Sequence, residues 1–160
     1  MQARPVAERW RIAALWTCLA VFVLRVLGQL EVLLLAPSLL PPFGAWESGL
    51  VPYVLLLPLQ ILLIAALTVM AVDHGRGGGF FWVSGDSTRL RLRLCAAIYA
   101  AVMAVRLAVT ALLPPHTLLA RGLIPICAHW DLALFMVLLS YAPARAAEPP
   151  MSAAHPGIRI

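Results

Sequence analysis

Long apolar runs dominate the chain and are separated by short stretches rich in Pro, Gly and Arg. The runs cover positions 12–36, 50–72, 90–113 and 123–142. Each is close to the ~20 residues that cross the hydrocarbon core of a bilayer as an α-helix. The longest connection, 73–89, is too short and too Gly-rich to form a core of its own. The pattern predicts an all-α fold, a four-helix transmembrane bundle in a single domain over 1–142.

Composition places the chain in a membrane rather than in water. Hydrophobic residues make up 62% of the 160 positions and charged residues 12%, and the mean hydropathy is +0.92. A soluble domain has roughly 45–50% apolar and about 25% charged residues. The lipid bilayer is therefore the expected partner. The net charge of +5 does not indicate nucleic acid, because the basic residues are distributed as topology signals.

The arginines are concentrated on alternate connections. Three precede the first helix and four lie between the second and third: Arg4, Arg9, Arg11, Arg76, Arg89, Arg91 and Arg93. The other two loops carry only Glu47 and Arg121, so the positive-inside rule predicts cytoplasmic N- and C-termini. Positive charge comes only from Arg, and Ala, Leu and Pro are abundant, which predicts a GC-rich bacterial genome and hence the bacterial inner membrane. The Pro/Ala-rich segment 143–160 is predicted to be a disordered cytoplasmic tail.

Two similar stretches occupy the outer loops. LLPPFGAWESGLVP at 39–52 and LLPPHTLLARGLIP at 112–125 share LLPP and GL(V/I)P at the same spacing. Each would join the outer ends of two helices, so the bundle would consist of two parallel helical-hairpin repeats, as in some small transporters. Convergence is the alternative, because any Leu-rich hairpin needs Pro and Gly in its turn.

Polar side chains inside the apolar runs are the candidate ligand-binding or ion-pair residues: Arg25, Gln29, Glu31, Gln60, Arg106, His129 and Asp131. Counted from the Pro or Gly at each outer helix end, all except Arg25 and Gln60 fall in one layer of the outer half. Charges at such depths cost a few kcal/mol each, so they should face the bundle or pair with one another. Arg106 with Asp131 or Glu31 is either an ion pair that sets helix register or part of a ligand site.

Helix periodicity refines these assignments. His129 and Asp131 are about 200° apart around one helix and cannot face the same pocket. We expect His129 to face the interior and Asp131 to reach a neighbouring helix or a partner subunit. On the third helix a ladder of alanines, every fourth residue from Ala96 to Ala108, predicts close packing on one side and a polar face on the other, and hence a central position. Trp46 and Tyr53 are expected at the outer interface.

Cysteine and histidine placement bears on metals and cofactors. Cys18, Cys95 and Cys127 are scattered among three predicted helices, which is not the pattern of a disulfide framework or a zinc site. No metal ligand set is predicted. No cofactor can be named from the sequence.

The motif LRVLGQL in the first helix, the outer turn SGLVP and the four-helix layout resemble small bacterial inner-membrane proteins of the DoxX-like family. This resemblance implies an accessory membrane protein in redox or stress physiology. It transfers no catalytic residue to this chain.

The leading prediction is a non-enzymatic membrane protein whose polar layer binds a small ligand or docks a partner subunit. The first alternative is a small-solute transporter working as a homo-oligomer. The second is a membrane enzyme that uses His129 with Asp131 or Glu31 as acid and base.

Overall fold

The computed structural model describes residues 6–46, 52–82, 85–112 and 122–141. This part of the chain contains four α-helices and one short 3-10 turn, with no strand. The helices are α1 (Val6–Leu35), α2 (Tyr53–Arg76), α3 (Asp86–Ala111) and α4 (Leu123–Ser140), and the 3-10 turn is Phe43–Ala45. All four helices are long and apolar enough to cross a membrane. The predicted four-helix transmembrane bundle is confirmed, and the chain is a multi-pass membrane protein.

Three helices extend beyond the apolar runs that predicted them. α1 begins at Val6, α2 continues to Arg76 and α3 begins at Asp86. An apolar run marks the hydrocarbon layer, whereas backbone hydrogen bonding continues into the interface. α2 ends at Gly77, whose positive φ of 79° is accessible to glycine without steric cost. The N-cap of α3 is Gly85, with no side-chain cap bond.

Packing places α1 and α4 at the centre of the bundle. α2 packs on α1, α1 packs on α4, and α4 packs on α3, whereas α2 and α3 hardly touch within the described residues. The prediction that the third helix is central is therefore wrong: α3 is the least buried of the four. The alanine ladder predicts close packing on one side of this helix, but most of its surface is turned away from the other helices.

The main core follows one stripe of α1. Buried apolar side chains recur every three or four residues along this helix and meet partners from α2 and α4; the buried set is Leu15, Cys18, Leu19, Phe22, Val26, Leu67, Ala71, Phe135 and Leu139. This spacing brings one side of a helix continuously against its neighbours. The core extends from the α1 stripe to both adjacent helices and fixes the positions of polar residues on the same stripe.

The face of α3 that packs on α4 is the polar one. Met103 is buried, and a Cβ atom placed on Gly122 of α4 would lie 3.4 Å from Cγ2 of Thr110. Ala96 is buried at this contact, but Ala104 and Ala108 are exposed. The alanine ladder therefore contributes only its first members to helix packing. The sequence predicts that the polar face of α3 lies opposite its packing face. In the structure the polar face is part of the contact with α4.

The predicted hairpin repeat lies partly outside the described residues, since 47–51 and 113–121 belong to its two loops. A two-fold relation between the hairpins would make the α2–α3 contact equivalent to the α1–α4 contact. Among the described helices, α1 and α4 pack closely, whereas α2 and α3 do not. The repeat stays a prediction.

The segment after α1 folds back onto the bundle. Ala36 has a positive φ of 42°, which turns the chain, and the 3-10 turn follows. Trp46 is only 8% exposed, and its indole Nε1 donates to the Pro41 carbonyl at 3.1 Å. Phe43 meets Tyr53 of α2 edge-on, with ring centroids 5.3 Å apart. Trp46 is thus a packing residue rather than the interfacial anchor that the sequence predicted.

Trp46 fits because α1 has no side chain at Gly28. A Cβ atom there would lie 2.7 Å from Cη2 of Trp46, whereas a Cβ at Gly75 of α2 would meet no heavy atom within 4 Å. The close approach of the indole to the helix backbone depends on this glycine.

We expect Gly28→Ala to be less stable than the matched control Gly75→Ala by about 1–3 kcal/mol, the usual cost of overpacking. Both substitutions gain helix propensity, up to about 1 kcal/mol, so the difference isolates the displacement of Trp46. The free energy of unfolding in detergent micelles measures it. Equal stability of the two variants would show that Trp46 does not rest on α1.

Candidate functional site

A cavity of about 150 Å³ lies between α1, α2 and α4. Its polar lining consists of three side chains, one from each helix: Arg25, Gln60 and His129. Its apolar lining is made of Phe22, Leu56, Leu59, Leu63, Pro125, Ala128 and Leu132. We call this space the Arg25 cavity. It combines a few polar groups with apolar walls, as small-molecule sites generally do.

Arg25 is the charged residue of the cavity. It lies ten residues before the end of α1 at Leu35, which is about 15 Å along the helix. Its Nη2 donates a hydrogen bond of 3.0 Å to the Trp46 carbonyl, so the folded-back segment holds the guanidinium. Its Nε is buried and has no partner among the described residues. An unsatisfied buried donor is costly, so the position of this guanidinium is not explained by hydrogen bonding within the described residues alone.

Two glutamines connect α1 and α2 at the next turn of the helix. Gln60 Nε2 donates to Gln29 Oε1 at 3.2 Å, and the two side chains are 4% and 0% exposed. Each amide keeps one buried group that has no partner in the described part of the chain, Gln29 Nε2 and Gln60 Oε1. α2 runs without interruption through Pro58, which places Gln60 at the cavity. The pair joins the helices and leaves hydrogen-bonding capacity unused.

His129 faces α3 as well as the cavity. Its Nδ1 is hydrogen-bonded to the Tyr99 hydroxyl, and the two rings are edge-on at a centroid distance of 5.5 Å. The next residue, Trp130, donates from Nε1 to the Ala100 carbonyl at 3.1 Å. When the Tyr99 hydroxyl donates, the neutral imidazole carries its proton on Nε2 and offers a donor there. The interior position predicted for His129 is the one observed.

Asp131 lies on the other side of α4 and reaches α1. Its carboxylate lies close enough to the Cys18 thiol of α1 for its charge to act on that group. It also lines a second cavity of about 280 Å³, which shares Arg25 with the first and is closed on one side by Trp46. The expected contact with a neighbouring helix is present, but the partner is α1 and not Arg106.

Two of the predicted polar-layer residues lie away from the cavity lining. Glu31 is exposed on α1. Arg106 is half-buried, and among the described residues neither Glu31 nor Asp131 is within ion-pairing distance of it. Arg106 is close enough for its charge to act on His129, as does the charge of Arg25.

The predicted polar layer takes Pro41 as the outer end of the first helix. α1 ends at Leu35 and the chain then turns back, so Pro41 does not mark the outer helix end. The residue of α1 that lines the cavity with His129 is Arg25, whereas Glu31 is exposed.

Sequence reasoning gave no site role to Trp46, Tyr99 or Cys18. Tyr99 shares a helix face with Met103 and Arg106, and that periodicity was a usable signal. The contacts of Trp46 and Cys18 depend on chain reversal and on helix pairing, for which the sequence carries no local signal.

The described residues contain no group of three or more His, Cys, Asp or Glu side chains that could hold a metal ion. Comparisons with protein-family models, with curated proteins and with solved structures find no match for this chain. The site therefore has to be interpreted from its own geometry.

Removing both glutamines of the pair should cost less stability than the two single losses added together. Gln29→Leu or Gln60→Leu alone leaves a buried amide without its partner, at a cost of roughly 1–3 kcal/mol, whereas the double variant should lose much less than the sum. The double-mutant cycle is measured by unfolding in mixed micelles. Fully additive losses would show that the two amides do not interact.

Proposed function

We propose that this protein is a ligand-binding component of the bacterial inner membrane, and that the Arg25 cavity is its binding site. The observation that carries the proposal is the convergence of Arg25, Gln60 and His129 from three helices on one apolar-walled space. A purely structural role would not require polar atoms that lack partners, such as Arg25 Nε and Gln60 Oε1. Hydrogen bonds from these groups to a bound molecule would offset the cost of burying them in the bundle.

The orientation that we propose has both termini in the cytoplasm. Arg9 and Arg11 near the start of α1, Arg76 at the end of α2, and Arg91 and Arg93 near the start of α3 lie towards the same end of the bundle. Excess arginine at one end favours that end as cytoplasmic. The Arg25 cavity then lies in the outer half of the membrane.

The ligand would enter from the bilayer. Leu59 lines the cavity and is 56% exposed on the surface of α2, which faces lipid in a membrane. A molecule dissolved in the bilayer could therefore reach Arg25 without crossing water. This favours an amphiphile, with a polar head at Arg25 and its apolar part along the leucine walls.

The alternatives have less support. An acid–base pair of His129 and Asp131 would need both groups in one space, but they contact different helices, α3 and α1. Transport rests on the hairpin repeat and stays a prediction, as do the homo-oligomer, the partner subunit and the DoxX-like resemblance.

Native mass spectrometry, with an absorption spectrum, on protein extracted gently from its own membrane tests the proposal. We expect a small molecule bound to the native chain and retained by the control Arg91→Gln, which removes an exposed charge far from the cavity. Leu59→Trp places a larger side chain at the lipid-facing opening of the Arg25 cavity and leaves Arg25 unchanged. This variant should not retain the small molecule. A bare native chain, or equal retention by Leu59→Trp, would refute the binding site.

A further inference from the structure

The charge balance around the Arg25 cavity points to the class of ligand, an inference that rests on the proposed function. We infer that the cavity binds the acidic oxyanion head, a carboxylate or a phosphate, of an amphiphile with a hydrocarbon chain. Arg25 would pair with the anion, and the chain would lie against the leucines.

Positive charge is not balanced at the Arg25 cavity. Within the described helices, no carboxylate lies within ion-pairing distance of Arg25 or Arg106. Asp131 lines the neighbouring cavity, which Arg25 also borders, but its carboxylate lies beyond ion-pairing distance of the guanidinium. A cation held in the hydrocarbon region is costly unless it pairs with an opposite charge. An anionic head would supply that charge, while a neutral head would leave it uncompensated.

The hydrogen-bonding groups of the cavity also favour an anion. Arg25 Nε is an unused donor, and a neutral His129 that accepts from Tyr99 has a donor at Nε2. Two donors beside a positive charge match an oxyanion, which has several acceptor lone pairs and bonds guanidinium strongly. An ammonium or other donor head would find only the Gln60 carbonyl oxygen and would be repelled by Arg25.

The size of the cavity limits how much of the ligand it can hold. The volume of about 150 Å³ is below the roughly 300–1,000 Å³ of sites that enclose a drug-sized molecule. It can take a compact head group but not an entire lipid. The remainder would extend past the exposed Leu59 into the bilayer, where its methylene groups lose no apolar contact.

Three probes with the same chain length test this inference on the full-length protein in phosphatidylcholine nanodiscs: dodecanoate, dodecyl phosphate and neutral methyl dodecanoate. Titrations followed by native mass spectrometry are made at about pH 9, so that the carboxylate is ionised despite partial desolvation. We expect at least one anionic probe to bind about tenfold or more tightly than the ester, and Leu59→Trp to abolish this binding. The two anions distinguish a carboxylate from a phosphate as the natural head.

Arg25 variants identify the pairing residue. Arg25→Gln should reduce the preference for the anion to about twofold or less, and Arg25→Lys should retain most of it, because the charge is kept. Arg91→Gln is the matched control and should bind as the native chain does. Since Arg25 also holds Trp46, thermal unfolding without ligand shows whether each variant is folded before its binding is compared.

The outcomes separate the two proposals. If the ester and the anions bind equally and Leu59→Trp abolishes the binding of all three, the anion inference is overturned and the proposed binding site stands. No binding of any probe would overturn the inference, and native mass spectrometry of the chain from its own membrane would then decide whether the cavity is a binding site. Glu47 follows Trp46 and lies outside the described residues. An anion preference seen only in Glu47→Gln would identify Glu47 as the counterion of Arg25 and would also overturn the inference.

Discussion

The hydrogen bond from Arg25 to the Trp46 carbonyl connects the interior of the bundle to the segment that covers it. In a hydrocarbon layer water cannot satisfy polar groups, so each must find a partner in the protein or in a ligand. The guanidinium satisfies one donor on a backbone carbonyl, and this requires the chain to reverse after α1. Gly28 permits the reversal by letting the Trp46 ring rest on the helix. Trp46 thereby becomes part of the lining of the second cavity.

The central pair α1 and α4 determines which polar side chains can act together. α4 presents His129 to α3 and Asp131 to α1, so one helix separates two polar environments. His129 shares its space with Arg25 and Gln60, whereas Asp131 lies in the neighbouring cavity. The polar side chains of α4 are thereby divided between two cavities. Arg25 borders both of them.

This division relates the fold to the proposed ligand. Helix packing alone does not require Arg25 at the cavity, because the Gln29–Gln60 hydrogen bond already joins α1 and α2. A donor-rich, lipid-accessible space of small volume suits a compact acidic head rather than a large polar solute. Binding at this place would also add contacts among α1, α2 and α4, and so stabilise the bundle by mass action.

The sequence alone determined the class of the protein, because the length and hydrophobicity of its four apolar runs admit few other folds. It also marked Arg25, Gln60 and His129 as candidates, since polar residues within such runs are costly and few, and these three line one cavity. The order of the helices and the depth of Arg25 relative to His129 were decided only by tertiary structure. An apolar run shows how long a helix is, but not which neighbour it meets or where the chain turns after it. The turn at Ala36 and the placement of Trp46 on Gly28 depend on contacts between residues far apart in sequence, and these set the geometry of the site.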